Sequence, residues 1–176
     1  MNKPTFTSFE DLKGIVDVFT DRPDKYMPAL SLAQDILREE SYLSPAEREL
    51  IAAYTSKLNG CEYCCGSHTE FALSIGVDED TIQKIVVNED ISDHPLSAIL
   101  SYVKKLTKDP STLTDQDRKD VIDAGFSEEH LKDAIAVCAI FNFYNRIVEG
   151  HGVLPSQEGY KTAATMINKH GYDRRY

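Results

Sequence analysis

The stretch Ser44-PAERELIAAYTSKLNGCEYCCGSHTEFALSI-Gly76 decides how this chain is read. Ser44 can cap a helix, Pro45 suits its first position and Glu47 completes a capping box, so a helix starts here and Glu47 has a structural task. Leu50, Ile51, Tyr54 and Leu58 form its apolar stripe. Asn59-Gly60 then makes a tight connection, and a second helix beginning near Cys61 folds back on the first. At about 100° per residue, Cys61, Cys64, Cys65, His68, Phe71, Ala72 and Ile75 share one inward face of that helix. Glu62, Tyr63, Ser67, Thr69 and Glu70 take the other side, and Cys61, at the helix start, is expected nearer the surface. Helical spacing continues outward from this pair. The pattern predicts helices over about 8–20, 25–39, 45–59, 62–76, 79–87, 94–108, 115–124, 128–150 and 156–170, with Gly76, Gly125 and Gly150 as stops and Thr114 and Ser127 as caps. The expected fold is all-α, a bundle of about eight helices in one domain over 1–176 with its core motif at 44–76.

The chemistry-bearing residues of this stretch are Glu49, Cys61, Cys64 and His68. A thiol attacks as thiolate, and a cysteine near a helix N-terminus beside an imidazole has its pKa lowered by the helix dipole and by proton acceptance. The i, i+3 spacing leaves the two cysteines close enough for a disulfide, so a sulfenic acid on either can be captured by the other. Glu49 lies opposite the apolar stripe, but its own face carries Ala52, Ala53, Ser56 and Gly60. Small residues let a neighbouring helix close over it, so Glu49 is expected to be at least partly buried and within reach of His68. The pair can then move a proton away from the attacking thiol and toward the leaving oxygen. Which thiol attacks is open on this ground alone: Cys61 is better placed for the helix dipole, whereas Cys64 lies one turn from His68.

Blander readings compete with each of these residues. His68 could be a core imidazole satisfied by a carbonyl, Glu49 a solvated charge, and Cys65 and Cys138 small core residues. A zinc site could use Cys61, Cys64 and His68, but its fourth ligand would have to be Cys65 or Glu49, and no second C-x-x-C or H-x-x-H exists. In Phe141-Asn142-Phe143-Tyr144-Asn145-Arg146, Asn142, Asn145 and Glu149 continue a core-facing stripe, so they need partners; they could position the motif helix or serve structural hydrogen bonding. Around 134–143 that helix is apolar on nearly every side, which points to a homo-oligomer.

The bulk numbers narrow the function further. With 176 residues and 41% hydrophobic content the chain suits one compact domain. Acidic residues outnumber basic ones 29 to 19, and a net charge of -10 repels nucleic acid and anionic lipid surfaces. Charges within the first twenty residues break any secretory pattern and no segment is long enough for a membrane span, so a soluble, cytoplasmic protein is expected. Four cysteines, three of them clustered, suit redox or metal chemistry in a reducing compartment better than a disulfide framework.

The pattern E-x11-C-x2-C-x3-H, carried here by Glu49, Cys61, Cys64 and His68 within RELIAAYTSKLNGCEYCCGSHTEFA, resembles the alkylhydroperoxidase AhpD-like / carboxymuconolactone decarboxylase superfamily, particularly its peroxidase-related branch. FNFYNRIVEG looks like a second stretch of that branch. The resemblance implies a helical fold assembling as trimers or hexamers, and a peroxide-reducing site without a cofactor or metal. In it Cys64 attacks the hydroperoxide, Cys61 resolves it as a disulfide, and Glu49 and His68 form the proton relay. A dithiol donor, lipoylated or thioredoxin-like, would restore the thiols. Tyr63 departs from the family at a position where the best-known alkylhydroperoxidases carry a second histidine, and Cys65 adds a third thiol. Two other functions fit the same residues: a lactone decarboxylase acting on a small carboxylated ligand through Glu49 and His68, and a redox-sensing or metal-binding oligomer.

Overall fold

The computed structural model describes residues 4–6 and 12–172, and all regular structure among them is helical. In order, α1 is Ile15–Asp21, α2 Pro23–Leu37, α3 Pro45–Leu58, α4 Glu62–Ser74 and α5 Glu79–Ile82, which runs into a π-helical turn at Gln83–Val87. α6 is Ser97–Lys108, a 3-10 turn occupies Pro110–Thr112, and α7 (Asp115–Asp123), α8 (Glu128–His151) and α9 (Gln157–His170) complete the chain.

The capping box at Ser44 forms as its residues require: the Ser44 Oγ accepts the Glu47 N–H at 3.3 Å and the Glu47 carboxylate accepts the Ser44 N–H at 2.7 Å. From there α3 runs through the middle of the molecule, and every residue from Arg48 to Ser56 is buried. One side of α3 gives Leu50, Ile51 and Tyr54 to the core, each worth about 1.5–3 kcal/mol when fully buried. The other side is Ala52, Ala53 and Ser56, small enough for α4 and α8 to approach closely. The α4 helix is in turn covered by α9, and α1 and α2 pack together against α8. The α9–α4 contact depends on the absence of a side chain at Gly66, where a Cβ would come within 2.5 Å of the Tyr160 ring. Asn168 Nδ2 donates to Ser74 Oγ at 2.8 Å and fixes the far end of the same pair.

Element boundaries shift by a few residues from the sequence pattern, α2 for example running Pro23–Leu37 instead of 25–39, and three of the differences have a local reason. The first helix starts at Ile15 instead of near residue 8; residues 8–11 lie outside the described ones. Its start is set by Asp17, whose carboxylate accepts the Lys13 and Gly14 N–H groups. The helix expected from 94 begins at Ser97, because the His94 ring accepts the Leu96 N–H and Pro95 intervenes. Gly150 is not a stop: α8 passes through it and ends at Gly152, whose φ of 72° is the left-handed cap that glycine adopts without cost. Gly76 and Gly125, with φ of 105° and 97°, do end their helices.

Candidate active site

The α3–α4 turn brings the motif together. Gly60 takes φ of 71°, and the Cys61 N–H returns to the Ser56 carbonyl at 3.0 Å, so α4 reverses directly along α3. Asn59 secures the turn from the side, donating through Nδ2 to Asn145 Oδ1 at 2.8 Å and Asn142 Oδ1 at 3.2 Å, both on α8. Asn145 passes its own amide to Ser56 Oγ at 3.0 Å. The polar residues on the core-facing stripe of α8 are thus partnered, and they hold the turn that carries the thiols.

Cys61 is the N-cap residue of α4 and Cys64 sits in its first turn, and the two are not joined by a disulfide in this structure. Cys61 is fully buried, contrary to the expectation that it lies nearer the surface, because α8 closes over the turn through the asparagine contacts. Cys64 is 3% exposed, and Cys61 and Asn145 are neighbours that act on its thiol. At Cys64 the direction is upward, against the lowering expected of a cysteine beside an imidazole near a helix start. The hydrogen bond to the Cys61 sulfur and burial push the Cys64 thiol well above its ordinary value, the Cys61 charge adds to this, and only Asn145 works the other way. Cys65 is half-buried and turned away, its thiol raised by burial against the opposing influence of Lys57 and Thr69. Cys138 packs in the core with its sulfur 3.3 Å from Thr107 Oγ1.

Glu49 is fully buried, and its carboxylate is a junction. Oε2 lies 2.6 Å from His68 Nδ1, while Oε1 accepts the Tyr172 hydroxyl at 2.7 Å and Arg38 Nη1 at 2.6 Å. Burial alone would raise this carboxyl; the charge and hydrogen bond of His68, the Arg38 charge and the Tyr172 hydrogen bond outweigh it and hold it below the usual range. The His68 ring is packed edge-on against Phe141 and Phe71, with centroids 4.3 and 4.9 Å away, and is stacked on Tyr172 at 6.3 Å. Nδ1 being committed to Glu49, Nε2 is the nitrogen left for other chemistry.

Cys64 and His68 border one cavity of about 310 Å³, and Cys61 and Glu49 stand behind them outside its lining. Its floor is the α4 face of Tyr63, Cys64, Ser67, His68 and Phe71; α1 and α2 supply Ile15, Val16, Phe19, Met27 and Leu30, and Tyr172 closes the wall beside His68. Tyr63 and Ser67 were placed on the outward side of α4 by spacing, yet they face this cavity. Burial on α4 extends beyond the predicted stripe, since α9 covers one flank and α1 is tied to another by the Ile15 N–H donated to the Tyr63 hydroxyl at 3.2 Å. Among the described residues no three His, Cys, Asp or Glu side chains are grouped as metal ligands would be. The sequence reading missed Arg38 and Tyr172. Neither lies in a motif, and Tyr172 is 123 positions from the carboxylate it touches.

Residues 26–92, which contain all four motif positions, match the carboxymuconolactone decarboxylase family. An uncharacterized protein, YdfG of Bacillus subtilis (strain 168), is 28% identical over 111 residues, covering 62% of this chain and 76% of its own. An uncharacterized peroxidase-related protein from Silicibacter sp. TM1040 has the same fold, with a TM-score of 0.73 at 23% identity over 83% of this chain and 78% of that one. A second, from Ralstonia eutropha JMP134 and described as an alkylhydroperoxidase AhpD core, gives 0.72 at 24% identity over 81% and 76%. The family match thus covers the segment that holds the motif, and the two solved structures share the helical fold of the chain as a whole.

Proposed function

We propose that the protein is a thiol-dependent peroxidase that reduces an organic hydroperoxide or hydrogen peroxide through a Cys61–Cys64 disulfide. The observation that carries this reading is the layering of the site: Cys64 and His68 meet the cavity, while Cys61, which acts on the Cys64 thiol, and Glu49, which is paired with His68, lie outside its lining. A hydroperoxide entering the cavity reaches Cys64 first, which supports Cys64 as the attacking thiol. Its proton passes to His68, whose imidazolium form the Glu49 carboxylate stabilises. The thiolate attacks one peroxide oxygen, the O–O bond breaks, and the departing alkoxide takes the proton from His68 to leave as alcohol. Cys64 is then a sulfenic acid. Cys61 attacks that sulfur, the S–O bond breaks, and the hydroxyl leaves as water with the proton Cys61 gives up. Two thiols have been oxidised to a disulfide and one peroxide reduced. A lipoylated or thioredoxin-like dithiol would restore them, and the working form would be a trimer or hexamer, as in proteins of this type.

The apolar walls favour an organic hydroperoxide over a small polar one. The lactone-decarboxylase alternative draws on the family match, but no Lys or Arg is among the described residues lining the cavity to receive a substrate carboxylate. The decisive variants are Cys64→Ser, expected to abolish peroxide-dependent disulfide formation, and Cys61→Ser, expected to leave a sulfenic acid on Cys64 that a dimedone-type probe traps. Undiminished turnover in Cys64→Ser, or in protein alkylated at every cysteine, removes the proposal.

A further inference from the structure

Glu49 reaches His68 with one oxygen only, and the other is held by two residues far apart in the sequence, Arg38 and Tyr172. Arg38 lies just past the end of α2 and Tyr172 just past α9, and both converge on Oε1 at 2.6 and 2.7 Å. They also hold each other, with the Arg38 guanidinium 4.9 Å from the centre of the Tyr172 ring. The turn that presents Tyr172 is built for the purpose. Gly171 has a φ of 72°, its Cα lies against the Gln34 side chain where a Cβ would collide, and the Tyr172 N–H donates to Gln34 Oε1 at 2.8 Å. Tyr172 is therefore held by a backbone hydrogen bond to Gln34 of α2 as well as by its hydroxyl bond to Glu49 of α3.

We propose that Arg38 and Tyr172 are positioning residues of the proton relay, clamping Oε1 of Glu49 so that Oε2 stays aligned on His68 Nδ1. The inference rests on the peroxidase reading above for its kinetic consequence, though not for its structural one. A carboxylate with no exposure and only an imidazole for company is driven toward its neutral acid, which cannot stabilise an imidazolium. Arg38 supplies a permanent compensating charge, and Tyr172 supplies a neutral donor that fixes the plane of the carboxyl group. The groups facing Glu49 are His68 from α4, Arg38 from the end of α2, Tyr172 from beyond α9 and, on α3 itself, the Arg48 charge; Arg48 spends Nη1 on the Ile36 and Glu39 carbonyls. Tyr144 of α8 stands next to Tyr172. All of the cationic groups favour the carboxylate, and losing one moves its titration upward.

The test compares Tyr172→Phe, which removes one oxygen and keeps the ring in the cavity wall, with Arg38→Gln and Arg38→Lys. In Tyr172→Phe and Arg38→Gln, kcat for an organic hydroperoxide falls about tenfold, the equivalent of one charge-assisted hydrogen bond, with KM nearly unchanged. Arg38→Lys, which keeps the charge, recovers part of the loss. The acid limb of the pH–rate profile moves to higher pH in the first two variants. Independently of turnover, the carboxyl carbon resonance of Glu49 in labelled protein titrates at higher pH in both. Parental kcat together with an unmoved Glu49 titration in Tyr172→Phe overturns the proposal, even if Arg38→Gln proves too unstable to measure. If the parent protein forms no disulfide with hydroperoxide, the peroxidase reading fails and the Glu49 titration still decides the clamp.

Discussion

Glu49 carries a charge with no access to water, so its neighbours determine what acid does to the protein. Its folded pKa is depressed, which means that its contribution to stability is present above the ordinary carboxyl value of 4.5 and is lost as pH falls through the lower folded value. Glu49→Gln should cost about 3 kcal/mol near neutrality, where it strands Arg38, and the deficit should narrow as parent and variant are compared at increasingly acid pH. Thermal melts across that range read it directly; a constant deficit would mean that the carboxylate is not ionised in the fold. Cys64 responds in the opposite range. Its raised thiol means that the thiolate fraction still grows above neutrality, so the rate of peroxide-dependent disulfide formation should climb with pH through the ordinary thiol value of 9.0. A rate that is flat from neutrality upward would point to a thiolate already formed. These two directions could not be read from the sequence alike. The burial of Glu49 followed from Ala52, Ala53 and Ser56 on its own face, whereas the upward shift of Cys64 comes from Cys61 and from burial, neither of which spacing alone reveals.

Helices were the most legible level, because capping chemistry is local. Ser44, Ser127 and Asp78 each accept from a backbone N–H of the first turn they precede, and the helix starts at 45, 128 and 79 follow. Boundaries failed where a nearby side chain took over the backbone in a way the apolar pattern does not show, as the His94 ring does for Leu96. Sidedness was less legible than extent. A single stripe was assigned to α4, but this helix is packed by α3, by α9 and along the cavity, so Ser67 and Tyr63 are functional neighbours that a one-sided helix would expose. The glycine that permits this is Gly66. Gly66→Ala places a methyl against the Tyr160 ring, which lies over the helix it would have to leave, and should destabilise the protein by about 1–3 kcal/mol in chemical denaturation. The same substitution at Gly150, where a Cβ meets nothing, should be neutral or slightly stabilising, so equal effects at the two sites would count against the α4–α9 contact.

Across the whole molecule, the fold collects the proposed relay from four separate segments: Arg38, Glu49, the Cys61–His68 run and Tyr172. Only the middle two lie in a motif with fixed spacing, so only they could be seen without coordinates; the arginine and tyrosine are ordinary residues until the fold brings them together. The cavity is likewise a property of assembly, since α1, α2, α4 and α9 each give it a wall. No helix among the described residues is long and apolar enough to cross a membrane. Phe143, at 42% exposure, and Ala139 leave an apolar strip on the outside of α8, consistent with the proposed trimer or hexamer, and light scattering should give a mass near three or six times 19.8 kDa. The most direct measurement on the central claim is the mass of fully reduced protein before and after one equivalent of organic hydroperoxide. The layered site predicts the loss of one pair of hydrogen atoms, mapped to a single peptide that contains both Cys61 and Cys64. An unchanged mass, or oxygen retained on either sulfur without a bond between them, would contradict it.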